Sequence, residues 1–422
     1  MEVITTSSPF FLNKKAILDK TLLKSDYYSY RPPTMTAINT RGTILTIDIP
    51  KLDVPITLED AYLEGEISVV KAADNTRYAD GDGIQLVSNA LQSLFDEISL
   101  KNSSNQTIDP PISYSAGLML RMLKSSDEEM MSNFRKDDVD GVIETTKRDR
   151  LLNDTPEKGT IFLRSYLRDF GLGFPASQDT ITINQGFKLI LKRAETYNSI
   201  FRTIADNAKV EIKDLVLYVR QFTPSIDNMN LINEHILANK SAVYPFTQNS
   251  YTTKPINANR KWTFEIGQET SIDIPLQIIV GFQSIERLQS QTQNNGVFDQ
   301  LNITSAQCRI GTDRYPDQPY TLDYTRNKYN DAYEAVRNYY YDFMEGKSSP
   351  YLTFKDLKTL YPFLLFDLRA QKEYLASQPI YIDIEFAEGF DAVGGDYMGI
   401  AVSSSRKVLS VSSDGKQQFE LI

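Results

Sequence analysis

The chain of 422 residues holds one histidine and one cysteine, and those two scarcities remove most catalytic chemistry. A Ser-His-Asp or Cys-His arrangement would have to use His235, which lies between Glu234 and Ile236 in a predicted helix. A structural imidazole is the ordinary reading there. Metal sites of the cupin type need several histidines and are closed to this chain. Cys308 cannot form an intramolecular disulfide, and in the apparent strand Ala306 to Ile310 it reads as a buried structural thiol. GxGxxG, Walker A and paired CxxC motifs do not occur. Basic charge is also in deficit, with 45 Lys and Arg against 55 Asp and Glu and a net charge of −10. That balance argues against broad or sequence-specific nucleic-acid binding. The nearest basic run, Arg135-Lys136 to Arg150, is interleaved with Asp137, Asp138, Asp140 and Glu144 and reads as a solvated loop. No apolar run approaches the roughly 18 residues of a membrane helix, so no membrane span is expected. Met1 to Lys15 lacks the basic start and apolar core of a signal peptide, so synthesis in a reducing, non-secretory compartment is expected.

The remaining candidates for chemistry have plainer readings. Tyr78 to Gly83 resembles the middle of a calcium loop, but Tyr78 and Asn89 would fall at the first and last ligand positions. The loop Lys136 to Gly141 would need Lys136 and Lys147 as ligands. Gly/Asp turns account for both. Glu64 with Glu66, and Asp383 with Glu385, alternate with apolar residues as solvent-facing strand positions do, rather than as a glycosidase pair. Tyr339-Tyr340-Tyr341 stands at helical spacing with Val336 and Phe343 and reads as core or subunit contact. No catalytic, cofactor-binding or metal-ligating residues are therefore expected, and the chain is expected not to be an enzyme.

What the chain has in quantity is strand-forming sequence, with 24 Tyr and 21 Phe and 41% hydrophobic residues. Its length exceeds what one core supports, so two domains are expected. Val210 to Val219 and Ile380 to Phe386 both alternate apolar and polar residues, and each ends a long string of short strands. They read as equivalent closing strands of two tandem units. The expected division is an N-terminal arm over 1–40, a first jelly roll over 41–223, a helical connector over 224–240 and a second jelly roll over 241–422. In the arm, Asp26 to Tyr30 and Pro32-Pro33 are expected to block regular structure. The first unit is predicted to have strands at Thr43 to Ile49, Ala61 to Val70, Asp96 to Leu100, Thr160 to Phe170, Phe187 to Lys192 and Val210 to Phe222. Helices are expected from Ile84 to Phe95 and from Leu118 to Phe134, the latter within a long excursion from Asp109 to Asp154. In the second unit, strands are expected at Trp262 to Ile266, Thr270 to Ile274, Leu276 to Phe282, Ser305 to Ile310, Phe363 to Leu368, Ile380 to Phe386 and within Tyr397 to Leu421, with a helix at Ala332 to Phe343. The fold class is all-β: two tandem eight-stranded jelly-roll sandwiches with short helical insertions.

From Asp26 onward the sequence resembles the double jelly-roll major capsid proteins of Polinton (Maverick) elements and adintoviruses. The matching stretches are Asp26-Tyr27-Tyr28 leading to Arg31-Pro32, Leu91 to Leu100, Val210 to Val219, Val243-Tyr244-Pro245, Pro275 to Phe282, Leu365 to Leu368 and Glu385-Phe386-Ala387. The resemblance implies side-by-side jelly rolls and a homotrimer forming a pseudo-hexameric capsomer. Such capsomers tile an icosahedral shell around double-stranded DNA, with penton and other minor capsid proteins as partners and the virion as location. The alternative from the residues alone is a tandem β-sandwich that binds carbohydrate or a receptor.

Overall fold

A computed structural model describes residues 22–34, 38–76, 78, 84–126, 160–177, 181–183, 185–197, 199–202, 207–237, 242–256, 259–266, 275–344, 349–371, 378–388, 396–411 and 417–420. Predicted features at 1–21, 79–83, 127–159 and 267–274 lie outside these residues. That includes the basic run, both loops read as Gly/Asp turns and the strand expected at Thr270 to Ile274.

The first unit is built from β1 (Leu22–Tyr30), β2 (Ile44–Ile49), β3 (Ile56–Lys71), β4 (Ile84–Leu86), β5 (Phe95–Asn102), β6 (Thr107–Ser113), β7 (Thr160–Tyr166), β8 (Ile181–Thr182), β9 (Phe187–Arg193), β10 (Ile200–Arg202) and β11 (Ala208–Pro224). Its sheets run β1-β11-β3-β7 and β2-β9-β5-β6, with β8 added beside β3 and a small β4-β10 ribbon. Alternation decides which side chains meet between the sheets. On β3, Leu63, Gly65, Ile67 and Val69 turn inward, while Tyr62, Glu64 and Glu66 stay half-buried on the outer face. Each inward aliphatic side chain contributes about 1.5–3 kcal/mol by leaving water. One buried cation ties the two sheets together. Arg193, at the end of β9, donates from Nη1 to the Leu94 carbonyl at 2.6 Å and from Nη2 to the Val210 carbonyl on β11 at 3.1 Å. Burial lowers its pKa to about 10.

The helix Ile226–Leu237 stands between β11 and the strands of the second unit. That unit comprises β12 (Ala242–Pro255), β13 (Lys261–Ile266), β14 (Pro275–Ser284), β15 (Ile303–Ile310), β16 (Asp313–Thr321), β17 (Leu364–Asp367), β18 (Ile380–Phe386), β19 (Tyr397–Val411) and β20 (Gln417–Glu420). Its sheets run β12-β19-β14-β17 and β13-β18-β15-β16, with β20 added beside β19. The helix Asn330–Met344 lies between β16 and β17.

Counting the eight principal strands of each unit in chain order, both units have one sheet ordered 1-8-3-6 and one ordered 2-7-4-5. The all-β double jelly roll is thus the observed architecture. One buried apolar cluster runs through both sandwiches.

Several expectations are corrected. Leu22–Tyr30 is an edge strand paired along β11, not an arm without regular structure. The helix expected from Ile84 to Phe95 reduces to one turn, Ala90–Ser93, because Ile84–Leu86 pairs with β10 and Phe95 opens β5. The helix expected at Leu118 begins earlier, at Tyr114, where the Ser113 hydroxyl accepts the Ala116 N–H. The strand expected to reach Phe170 ends at Tyr166, and a 3-10 turn spans Leu167–Phe170. The two similar closing segments are not equivalents. Val210 to Val219 belongs to the eighth strand of its unit, whereas Ile380–Phe386 is the seventh. The counterpart of Ile380–Phe386 is Phe187–Arg193, and both strands bury every second residue from their first.

Candidate functional site

The residues that carry potential chemistry are placed as strand and core residues. Cys308 on β15 is fully buried, and burial pushes its thiol pKa up, away from the reactive thiolate. Glu64 accepts Arg164 Nε at 3.1 Å and Nη2 at 2.8 Å. Asp383 accepts the Thr263 hydroxyl at 2.8 Å and Arg309 Nε at 3.2 Å, and Glu385 pairs with Lys261 at 2.6 Å. These acids are rungs of cross-strand ladders. The tyrosine run divides along its helix: Tyr340 is buried, Tyr339 is half-buried, and Tyr341 keeps 37% of its surface. His235 lies on the Ile226–Leu237 helix. Among the described residues, no three His, Cys, Asp or Glu side chains gather as metal ligands, and no helix is long and apolar enough to cross a membrane. The helix criterion does not address a β-barrel.

The most elaborately built region is the seam between the units, which sequence reasoning missed. The first unit lies against the outer face of the β12-β19-β14-β17 sheet. From the helix Tyr114–Lys124, Ser115 donates its hydroxyl to Gln283 Oε1 on β14 at 2.6 Å. Gln283 is fully buried and its Nε2 donates to the carbonyls of Asn295 and Val297 at 2.8 and 3.0 Å. One turn along the helix, Met119 reaches the space above Gly281, where a Cβ would meet Met119 at 3.1 Å and Phe298 at 2.9 Å. On β12, buried Asn249 donates to the Gly171 carbonyl at 2.8 Å and accepts the Ser404 hydroxyl at 2.7 Å. Gln248 donates to the Ile108 carbonyl at 2.6 Å, and the Tyr251 hydroxyl donates to Glu97 at 3.0 Å.

The segment Gly171-Leu172-Gly173-Phe174 is the key of this seam. A Cβ at Gly173 would stand 1.7 Å from the Thr247 carbonyl oxygen, so only glycine allows the two backbones this approach. Phe174 packs edge-on against Phe246 and Tyr244 of the second unit, with ring centroids 5.4 and 6.4 Å away. From the first unit, Asp109 on β6 accepts the N–H of Gly173 at 2.9 Å and that of Phe174 at 3.0 Å. Its carboxyl is wholly buried, and burial, opposed by those two N–H donors, raises its pKa to about 7. The Gly-x-Gly-Phe pattern was the one signal in the sequence that could have marked a close backbone approach.

A polar cleft of ≈ 410 Å³ opens elsewhere on the seam, between Arg41, Glu195 and Tyr197 of the first unit and Gln289 to Gln291 of the second. Gln291 spans it, donating to the Ala208 carbonyl at 2.8 Å and accepting the Ala208 N–H at 3.1 Å. Tyr197 is the only aromatic ring lining it, and the Arg41 guanidinium already sits 4.2 Å from that ring. A free aromatic platform for a sugar is therefore lacking among the lining residues.

Comparison with known proteins follows this geometry. The family described as "Double jelly roll-like domain" matches residues 142–395. Among solved structures, a chain of the PBCV-1 virus capsid superposes with a TM-score of 0.59 at 10% identity, covering 98% of this chain and 100% of that one. A chain of the Sputnik virophage gives 0.59 at 10% identity, covering 100% and 93%. The mavirus major capsid protein gives 0.51 at 11% identity, covering 100% and 96%. A comparison with curated proteins finds no match. With the family match spanning more than half of its length, and with two jelly rolls of one strand order joined along a tight seam, the chain belongs to the double jelly roll-like domain family.

Proposed function

We propose that this chain is a structural, non-enzymatic major capsid protein of the Polinton (Maverick) or adintovirus type. Three copies form a pseudo-hexameric capsomer, and capsomers tile an icosahedral shell around double-stranded DNA, with penton and minor capsid proteins as further partners in the virion. The observation that carries this reading is the repeated strand order, 1-8-3-6 and 2-7-4-5, in two sandwiches fixed side by side. A chain with that repeat presents two near-equivalent wedges, so threefold assembly yields six. The units correspond to residues 41–223 and 241–422 joined by 224–240, with β1 added to the first. Solved structures of the same fold include a chain of the PBCV-1 virus capsid, a chain of the Sputnik virophage and the mavirus major capsid protein.

Light scattering on the purified chain, followed by negative-stain microscopy of the same sample, tests the reading. Expected are particles of about three chain masses with a hexagonal outline, or closed shells. A persistent monomer across salt and concentration overturns it.

A further inference from the structure

The two units differ at one sheet edge. In the second unit the first strand runs along the whole of the eighth: β12 pairs with β19 from Ala242 opposite Val411 to Pro255 opposite Met398. In the first unit β1 covers only the end of β11, from Leu217 to Pro224. Pro32 and Pro33 follow, neither can donate to a ladder, and the chain crosses to β2 in the other sheet. The edge of β11 from Ala208 to Val216 therefore has no strand beside it among the described residues, although β3 continues along its other side to Ala208.

Backbone groups left on such an edge need partners, and side chains supply them. Asn39 accepts the Ile212 N–H at Oδ1 at 2.8 Å and donates from Nδ2 to the Ile212 carbonyl at 3.0 Å. Gln291 of the second unit does the same at Ala208, accepting its N–H at 3.1 Å and donating to its carbonyl at 2.8 Å. Between them Arg193 donates to the Val210 carbonyl at 3.1 Å. Ala208, Val210 and Ile212 are alternate residues, so their backbone groups point to the same side of the strand. Two side-chain amides thus imitate rungs of the strand that is not there. Beyond Ile212 the ladder to β3 shifts register before Asp214, whose carboxylate accepts the Leu215 N–H at 2.9 Å and Arg31 Nη2 at 2.9 Å. Lys213, exposed, stands at that bulge. A bulge and a lysine both keep strands off an edge.

We propose that Asn39 and Gln291 are a built-in seal on the open edge of β11, which holds off addition of an extended segment from another polypeptide. The edge they occupy is the one that the internal repeat fills with a strand in the second unit, so its geometry accepts a strand wherever the amides are removed. Gln291 comes from the second unit, so the seal at Ala208 closes only once the two units have met. The inference is independent of the capsomer reading and stands or falls without it.

The test compares the full chain with its Asn39→Ala/Gln291→Ala variant and with Ile382→Val, a core change in the second unit that loosens packing without touching this edge. Hydrogen exchange of the segment 207–213 is followed by mass spectrometry, and strand addition by thioflavin T fluorescence on prolonged incubation. Expected in the double variant are exchange of that segment about tenfold or more faster than in wild type and a shorter lag before thioflavin-positive aggregates appear, with neither change in Ile382→Val. If the segment exchanges at the wild-type rate, or the thioflavin lag is unchanged, the amides do not seal the edge and the proposal falls. An equal shortening of the lag in Ile382→Val would assign the aggregation to general loss of stability, which also overturns it. Should the double variant not fold, Asn39→Ala alone carries the same comparison at Ile212.

Discussion

Asp109 shows how one buried side chain can report on the seam. Two backbone N–H groups favour its ionised form, yet complete removal from water outweighs them and places its pKa near 7, against 3.8 for the ordinary carboxyl. Between about pH 4 and 7 the folded chain therefore keeps a proton that the unfolded chain releases, so this group's contribution to stability falls as pH rises through that window. Below it both states are protonated, above it both are ionised, and the contribution is flat at each end. The slope it adds is at most about 1.4 kcal/mol per pH unit. Asp109→Asn removes the titration while keeping an oxygen to accept the Gly173 and Phe174 N–H groups. Denaturant unfolding from pH 4 to 8 should show the wild type losing stability relative to Asp109→Asn as pH rises; parallel curves would mean that Asp109 is ionised throughout. Nothing in the sequence announces this role, because Ile108-Asp109-Pro110-Pro111 reads as the start of a loop.

The same prolines explain which elements were legible. Central strands such as β3, β9, β11 and β14 carry clean alternation or continuous apolar runs, and the sequence places all four. Of the eight principal strands of each unit, those it misses, β1, β6, β12 and β16, all lie at sheet edges. Three of them contain prolines within the strand: Pro110 and Pro111, Pro245, and Pro316 and Pro319. An edge strand has one unpaired side, so proline is tolerated there and the residue pattern loses its strand signature. β1 fails differently, since Tyr27, Tyr28 and Tyr30 all keep some exposure and show no buried period. Its pairing gives a deletion series a definite outcome. Removing residues 1–21 leaves the β1–β11 ladder whole, whereas removing residues 1–33 strips β11 of its edge partner from Tyr30 to Leu22. The longer deletion should lower the melting temperature below that of the shorter one and expose β11 to aggregation. Equal melting of the two would show that β1 adds no stability.

At the scale of the whole molecule, the question is whether two sandwiches behave as two bodies or one. Domains within a chain move independently unless their interface is large and apolar. Here the apolar cluster passes from one sandwich to the other without a break. Two of the polar side chains crossing it are buried and hydrogen-bonded on both sides: Asn249 bridges Gly171 and Ser404, and Gln283 bridges Ser115 and the 295–297 backbone. Separating the units would expose these amides' partners along with Phe174, Phe246 and Met119. Calorimetry of the wild type should therefore give one transition whose calorimetric and van't Hoff enthalpies agree. Asn249→Ala/Gln283→Ala leaves buried donors and acceptors unpaired at both anchor points, at about 1–3 kcal/mol each, while both sandwich interiors stay intact. That variant should melt in two steps, with native far-UV circular dichroism below the first. Two transitions in the wild type would instead show that the seam is weaker than either sandwich, and a lone building block with a loose seam could not hold the fixed angle that a closed ring of three copies requires.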